Sequence, residues 1–128
     1  MKLVIDMHVF IWADSRPRAI APPLRAAMLD SQNSIFVSAA SIWEIAVKRA
    51  AGKLLFEREI VGAVGSLGYG LLPIGGVHAE YAGGLPYHHR NPFDRILVAQ
   101  AALEGMVLGT QDPLMRPYGI ATLGLDRA

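Results

Sequence analysis

Short apolar runs alternate along the chain with longer stretches of helical spacing, and the alternation continues almost from end to end. Lys2–Asp6, Ile35–Ser38, Gly70–Ile74 and Met106–Thr110 read as buried strands, and Ile120–Leu123 as a final edge strand. Between them the spacing predicts helices over His8–Ala13, Leu24–Asp30, Ala39–Ala51, Glu57–Leu67 and Val77–Ala82, and from Pro92 to Leu103. Their ends carry recognisable signals. Ser41-Ile42-Trp43-Glu44 matches a capping box, and Gly52 closes the same helix. Asn91 is placed to cap the last helix, with Pro92 at its first position and Gly105 at its stop. Pro17, Pro22 and Pro23 punctuate the loop before Leu24.

Strands that alternate with helices imply right-handed crossovers and a mostly parallel central sheet of four to five strands, flanked by helices. No internal repeat or composition break divides the sequence, so residues 1–128 are expected to form a single domain. Hydrophobic residues make up 52% and charged residues 18%, which excludes a disordered chain. A mean hydropathy of +0.32 requires strands covered on both faces, or an apolar surface covered by a partner.

Charge and cysteine content narrow the chemistry. The chain has 12 basic and 11 acidic residues, a net charge of +1 that by itself points to no nucleic acid. Gathering several acids at one site would leave the remaining surface more basic than that total implies. Cysteine is absent, which excludes disulfides, thiolate metal sites and a cysteine nucleophile, and fits a reducing cytoplasm. Lys2 interrupts the opening too early for a signal peptide, and no apolar run approaches the roughly 18 residues of a membrane span.

Asp6, Glu44, Asp94 and Asp112 each fall where a strand ends or a helix begins. Each has a purely structural use: Asp6 as a helix cap, Glu44 as a partner of Lys48 one turn on, Asp94 in a helix first turn, and Asp112 in an Asp-Pro turn. Those uses do not require all of them on one edge of one sheet. Ligands of parallel α/β sheets bind at the carboxyl edge of the strands. Carboxylates crowded there repel one another, and a hard divalent cation relieves the repulsion.

Several segments resemble the PIN-domain ribonucleases. Leu3-Val-Ile-Asp-Met-His-Val-Phe-Ile-Trp12 is similar to the family's opening motif. Val37-Ser-Ala-Ala-Ser-Ile-Trp-Glu-Ile-Ala-Val-Lys48 with Gly52-Lys-Leu54 resembles the second. His89-Arg-Asn-Pro-Phe-Asp-Arg-Ile-Leu-Val-Ala-Gln100 and Leu108-Gly-Thr-Gln-Asp112 resemble the third and fourth. The likeness spans nearly the whole chain and is greatest to the VapC-type toxins of toxin–antitoxin pairs.

The resemblance implies a PIN-like three-layer α/β/α fold and magnesium- or manganese-dependent hydrolysis of RNA, leaving a 5′-phosphate and a 3′-hydroxyl. It places Asp6, Glu44, Asp94 and Asp112 at the catalytic and metal-binding positions. Asp6 and Asp94 are then the principal ligands, Glu44 and Asp112 complete the site, and Thr110 supplies a supporting hydroxyl. It also implies a homodimer and a VapB-type antitoxin whose tail covers the acidic pocket. Two positions depart from the family's pattern. Met7 stands where a threonine or serine usually follows the first acid, and Asn91 replaces an aspartate common in close relatives.

Basic side chains near these motifs, Lys48, Arg90, Arg95 and Arg116, are candidate RNA contacts. For Arg95 the alternative is bracing the acid cluster, and for Lys48 it is pairing with Glu44. Pro86-Tyr-His-His-Arg90 can stack a base and grip its phosphate, whereas a zinc site at His88 and His89 is disfavoured. Trp12 and Trp43 are expected in the core or a dimer contact. Rival readings are a PIN fold kept for binding alone, a nuclease acting on DNA or in RNA processing, and a phospho-receiver domain. The receiver would need paired acids after the first strand and a late lysine, but Met7 follows Asp6 and no lysine follows Lys53.

Overall fold

An uninterrupted apolar run such as Leu3-Val4-Ile5 is stable as a strand only when both its faces are covered, and the fold is arranged to do this. The computed structural model describes residues 1–125, so the last three residues of the expected 1–128 domain lie outside the described residues. Five strands, β1 (Lys2–Ile5), β2 (Ser34–Ser38), β3 (Gly70–Leu72), β4 (Val107–Gly109) and β5 (Thr122–Leu123), form one sheet in the order β3-β2-β1-β4-β5. Every pairing is parallel, with Ile5 opposite Val37 on one side and Gly109 on the other.

Leu3 and Ile5 point into one layer, where they join Val9 and Phe10 of α1 (Met7–Ser15), Leu24 of α2 (Pro22–Leu29) and Ile45 of α3 (Ala39–Ala50). Val64 of α4 (Ile60–Ser66) belongs to the same cluster. Val4, between them, points into the opposite layer with Leu97 and Val98 of α6 (Pro92–Glu104), Leu108 and Met115. The remaining helix, α5 (Gly76–Gly83), packs on α6. Both faces of the sheet are thus buried, which accounts for much of the high hydropathy. Gly109 lets α2 approach the sheet, since a Cβ there would sit 3.0 Å from both Ile5 Cγ2 and Leu24 Cδ1.

The predicted elements are present, with shorter bounds for α4 and for the two sheet edges. Two local expectations are corrected. Pro22 and Pro23 lie not in a loop but at the first two positions of α2, where a proline's missing N–H costs nothing. The N-cap of α3 is Ser38, whose hydroxyl accepts from Ala40 N, so Ser41 lies inside the helix and forms no capping box with Glu44. The strand runs straight into the helix at Ser38, and this leaves the Ser41–Glu44 pair one turn too late. Among the described residues no helix is long and apolar enough to cross a membrane.

The chain order matters for function. From central β1 the chain moves outward through β2 to β3, then returns to the other side of β1 as β4 and β5. The reversal leaves a crevice at the carboxyl ends of β1 and β4, where loops leave in opposite directions.

Candidate metal centre

Asp6 occupies that crevice as the first residue beyond β1. Its backbone N–H still donates to Gly109 O across the strand gap, at 3.0 Å. Its side chain caps α1, with Oδ1 accepting from Val9 N at 2.9 Å, while Oδ2 accepts from the Thr110 hydroxyl at 2.5 Å. The capping and site readings of Asp6 are therefore compatible, because the carboxylate has an oxygen for each. Thr110 is wholly buried, and its Oγ1 also accepts from the backbone N–H of Asp112 at 3.1 Å. One hydroxyl thus fixes the acid after β1 and the chain leading to the acid after β4.

Glu44 reaches the same region from the second turn of α3. It is 3% exposed, and its Oε2 accepts from Lys48 Nζ at 3.0 Å and from Asn91 Nδ2 at 3.1 Å. Asn91 also caps α6, its Oδ1 accepting from Phe93 N. The amide at the position where relatives carry aspartate thus does two jobs, one of which a carboxylate could not do, because it donates to Glu44. Asp94 sits in the first turn of α6, where the helix dipole favours negative charge. Asp112 caps a 3₁₀ turn over Pro113–Tyr118 through Oδ1, which accepts from Leu114 N, leaving Oδ2 toward the cleft.

Electrostatics confirm that the acids share one space. Burial pushes the Asp94 carboxyl up to about 7, and the neighbouring Glu44, Asp6 and Asp112 carboxylates add to the shift while His89 opposes it. Asp6 is raised as well, chiefly by burial, against the hydrogen bonds from Thr110 and Val9 N. The folded chain therefore keeps protons on Asp6 and Asp94 at pH values where the unfolded chain, with carboxyls near about 4, has released them. This contribution to stability falls as pH rises from about 4 through about 7, because the native state then holds desolvated carboxylates that repel one another. Thermal melts in EDTA should show a loss between about pH 5 and about pH 8, and manganese should reverse most of it at the higher pH. A melting temperature that climbs over that range without metal would contradict this account.

Crowded carboxylate oxygens are the donor chemistry of magnesium and manganese sites. His89, Asp94 and Asp112 bring ligand atoms within 4.8 Å of one another, and Asp6 and Glu44 lie near enough to raise the Asp94 carboxyl, so the residues fit a hard divalent cation; Thr110 and Asn91 orient Asp6 and Glu44. Beside these acids lies a cavity of about 300 Å³, lined by Asp6, His8, Trp12, Gln111 and Asp112. A larger cavity of about 460 Å³ is walled by apolar groups such as Trp43, Ile74 and Phe93 and has no carboxylate in its lining.

The other expected residues are divided by the structure. Lys48 is half-buried and paired with Glu44, as its helical spacing suggested. Arg90 is exposed on the loop before α6, and Arg116 is exposed in the 3₁₀ turn. Arg95 is a correction. It does not face solvent, and among the described residues it pairs with no acid: it is 6% exposed and donates to the carbonyls of Ala82, Leu85 and Pro86 at 2.8–2.9 Å. Its guanidinium also lies 4.4 Å from the centre of the Tyr87 ring. Adjacent positions on a helix point about 100° apart, so Asp94 and Arg95 diverge.

Trp12 is half-buried against the core beside His8. Trp43 is not a core residue: it is 62% exposed and edge-on to Phe93. His89 had not been singled out for the acid cluster. Its Nε2 lies 2.9 Å from Asp94 Oδ2 and 3.2 Å from Asp112 Oδ2. The only sequence signal was its place at the head of the motif ending in Asp94.

A parallel α/β domain with an acidic cleft at its strand reversal is the class that fold and site define. The family model of the PIN domain matches residues 3–119, and this chain belongs to the PIN-domain family. Solved structures share the fold at low identity. VapBC from Salmonella typhimurium bound to DNA matches with a TM-score of 0.67 and 19% identity, over 96% of this chain and 97% of that one. VapBC2 from Rickettsia felis, bound to a DNA fragment from their promoter, gives 0.66 and 14%, over 98% and 100%. VapBC-1 from nontypeable Haemophilus influenzae gives 0.65 and 18%, over 96% and 97%. No curated protein matches the chain in sequence.

Proposed function

We propose that this chain is a VapC-type toxin, a magnesium- or manganese-dependent endoribonuclease acting as a single PIN domain and neutralised by a VapB-type antitoxin. The observation that carries the chemistry is the raised carboxyl of Asp94 among three further acids, a cluster whose charge calls for a divalent cation. The observation that carries the biology is coarser: the fold is shared with chains named as VapBC assemblies.

Asp6 and Asp94 hold the cation, and Glu44 and Asp112 complete its surroundings. When bound, the ion supplies an activated water and neutralises charge at the phosphorus. The chain's own residues do the rest. Thr110 fixes Oδ2 of Asp6, Asn91 and Lys48 fix Glu44, and the cap of the 3₁₀ turn holds one oxygen of Asp112 so that the other faces the cleft. Met7 is buried at 3% exposure and supplies no hydroxyl, whereas Thr110 supplies one to Asp6 from across the sheet. This supports an active enzyme over a PIN fold kept only for binding.

Arg90 and Arg116 are exposed and are the candidate contacts for RNA phosphates, and the cytoplasm is the compartment in which such a substrate is met. Incubating the purified chain with a mixed RNA pool in magnesium, manganese or EDTA tests the reading. Cutting that appears only with metal, with 5′-phosphate ends, is expected. Cutting that persists in EDTA would end it.

A further inference from the structure

His89 is held between two acids of the cleft. Its Nε2 bridges Asp94 Oδ2 at 2.9 Å and Asp112 Oδ2 at 3.2 Å. All three atoms lie within 4.8 Å of one another, close enough to surround one ion, and the ring nitrogen fills the gap between the two carboxylates. The ring's other nitrogen decides what kind of occupant it is. Nδ1 accepts from the backbone N–H of Asn91 at 3.3 Å, which makes the ring the neutral tautomer with its proton on Nε2. An Nε2–H donates to carboxylates but cannot ligate a metal, because a ligating imidazole nitrogen must be bare.

The backbone around His89 is built to deliver this side chain. Its N–H donates to the Tyr118 hydroxyl at 2.9 Å, and Tyr118 also meets the His88 ring edge-on. Upstream, Arg95 ties down the carbonyls of Ala82, Leu85 and Pro86. The backbone that carries the imidazole is thus fixed at His89 and upstream of it.

We infer that His89 is a displaceable internal stand-in for the metal: in the metal-free protein it holds Asp94 and Asp112 at ligand spacing, and the incoming cation must expel it. His89 is therefore a positioning residue that competes with the ion rather than a member of its ligand set. This rests on the four-acid metal centre proposed above. It makes the site open to cation only where the ion can outbid a hydrogen bond shared between two carboxylates, and it leaves the freed Nε2–H beside the cleft once metal is bound.

Manganese binding, read by electron paramagnetic resonance and calorimetry on the full chain without RNA, tests the inference. His89→Ala should bind manganese about tenfold more tightly than wild type, since one charge-assisted hydrogen bond no longer competes. His89→Gln places an amide N–H near the same point and should bind as wild type does. The electron spin echo of wild-type protein with manganese should carry no modulation from a directly bound imidazole nitrogen. In EDTA the His89→Ala protein should melt below wild type, with the gap closed or reversed by manganese. Unchanged or weaker binding by His89→Ala, or an imidazole modulation that the variant loses, would overturn the displacement. Absence of manganese binding by wild type, His89→Ala and Asp94→Asn alike would instead overturn the metal centre itself.

Discussion

Changing Asp94 to Asn should reduce metal-dependent RNA cleavage at least about a thousandfold, which corresponds to about 4 kcal/mol of lost stabilisation. The shape of the side chain is kept, so α6 should still begin at Asn91 and the chain should still fold. What is lost is the charge that three other carboxylates help to make expensive without a cation. A second consequence separates this from simple damage. With the strained carboxylate gone, the variant in EDTA should be more stable than wild type at about pH 8 and lose less stability as pH rises. Its stabilisation by manganese should fall in parallel. A variant that is inactive and also less stable in EDTA would mean that Asp94 is a structural acid. One that cleaves RNA like wild type would remove it from the chemistry.

Arg95 gives the largest expected effect on stability. Replacing it by Met removes a buried cation's hydrogen bonds to three carbonyls and its contact with Tyr87, and leaves those carbonyls to find water in a half-buried loop. The expected loss is about 3 kcal/mol, seen as a lower urea midpoint at unchanged slope. Lys should rescue little, because a single ammonium cannot serve the three directions that the planar guanidinium serves. The segment between Leu85 and Asn91 should become the preferred site of limited proteolysis. Stability within about 0.5 kcal/mol of wild type would show that the clamp is dispensable. The same experiment tests whether the acid cluster depends on this loop, since His89 is carried by it.

The layering was legible because it is written locally. Leu3-Val4-Ile5 has no polar member, so a strand there must be covered on both faces, and the helices between such runs then have no place except above and below a parallel sheet. Asn91-Pro92 and Gly105 fixed the ends of α6 for a similar reason: capping is a property of a few adjacent residues. The Ser41–Glu44 pair shows the limit of that kind of signal. Its spacing satisfies a capping box, but the helix was already capped by Ser38, and which serine wins depends on where β2 stops.

The acids themselves were also legible, since Asp6, Glu44, Asp94 and Asp112 each stand at a junction that a parallel sheet brings to its carboxyl edge. What the chain alone could not decide is how they are held. Thr110 meets Asp6 from 104 residues away, Asn91 meets Glu44 from 47, and His89 meets Asp112 from 23. The fate of Arg95 was likewise settled by the turn after α5, which brings a set of carbonyls within its reach. Local sequence determines which segments are strands and helices and where the carboxylates emerge, because periodicity and capping act over a few residues. Tertiary structure alone determines which hydroxyl, amide and imidazole reach each carboxylate, because those contacts exist only after the sheet has brought distant loops to one edge.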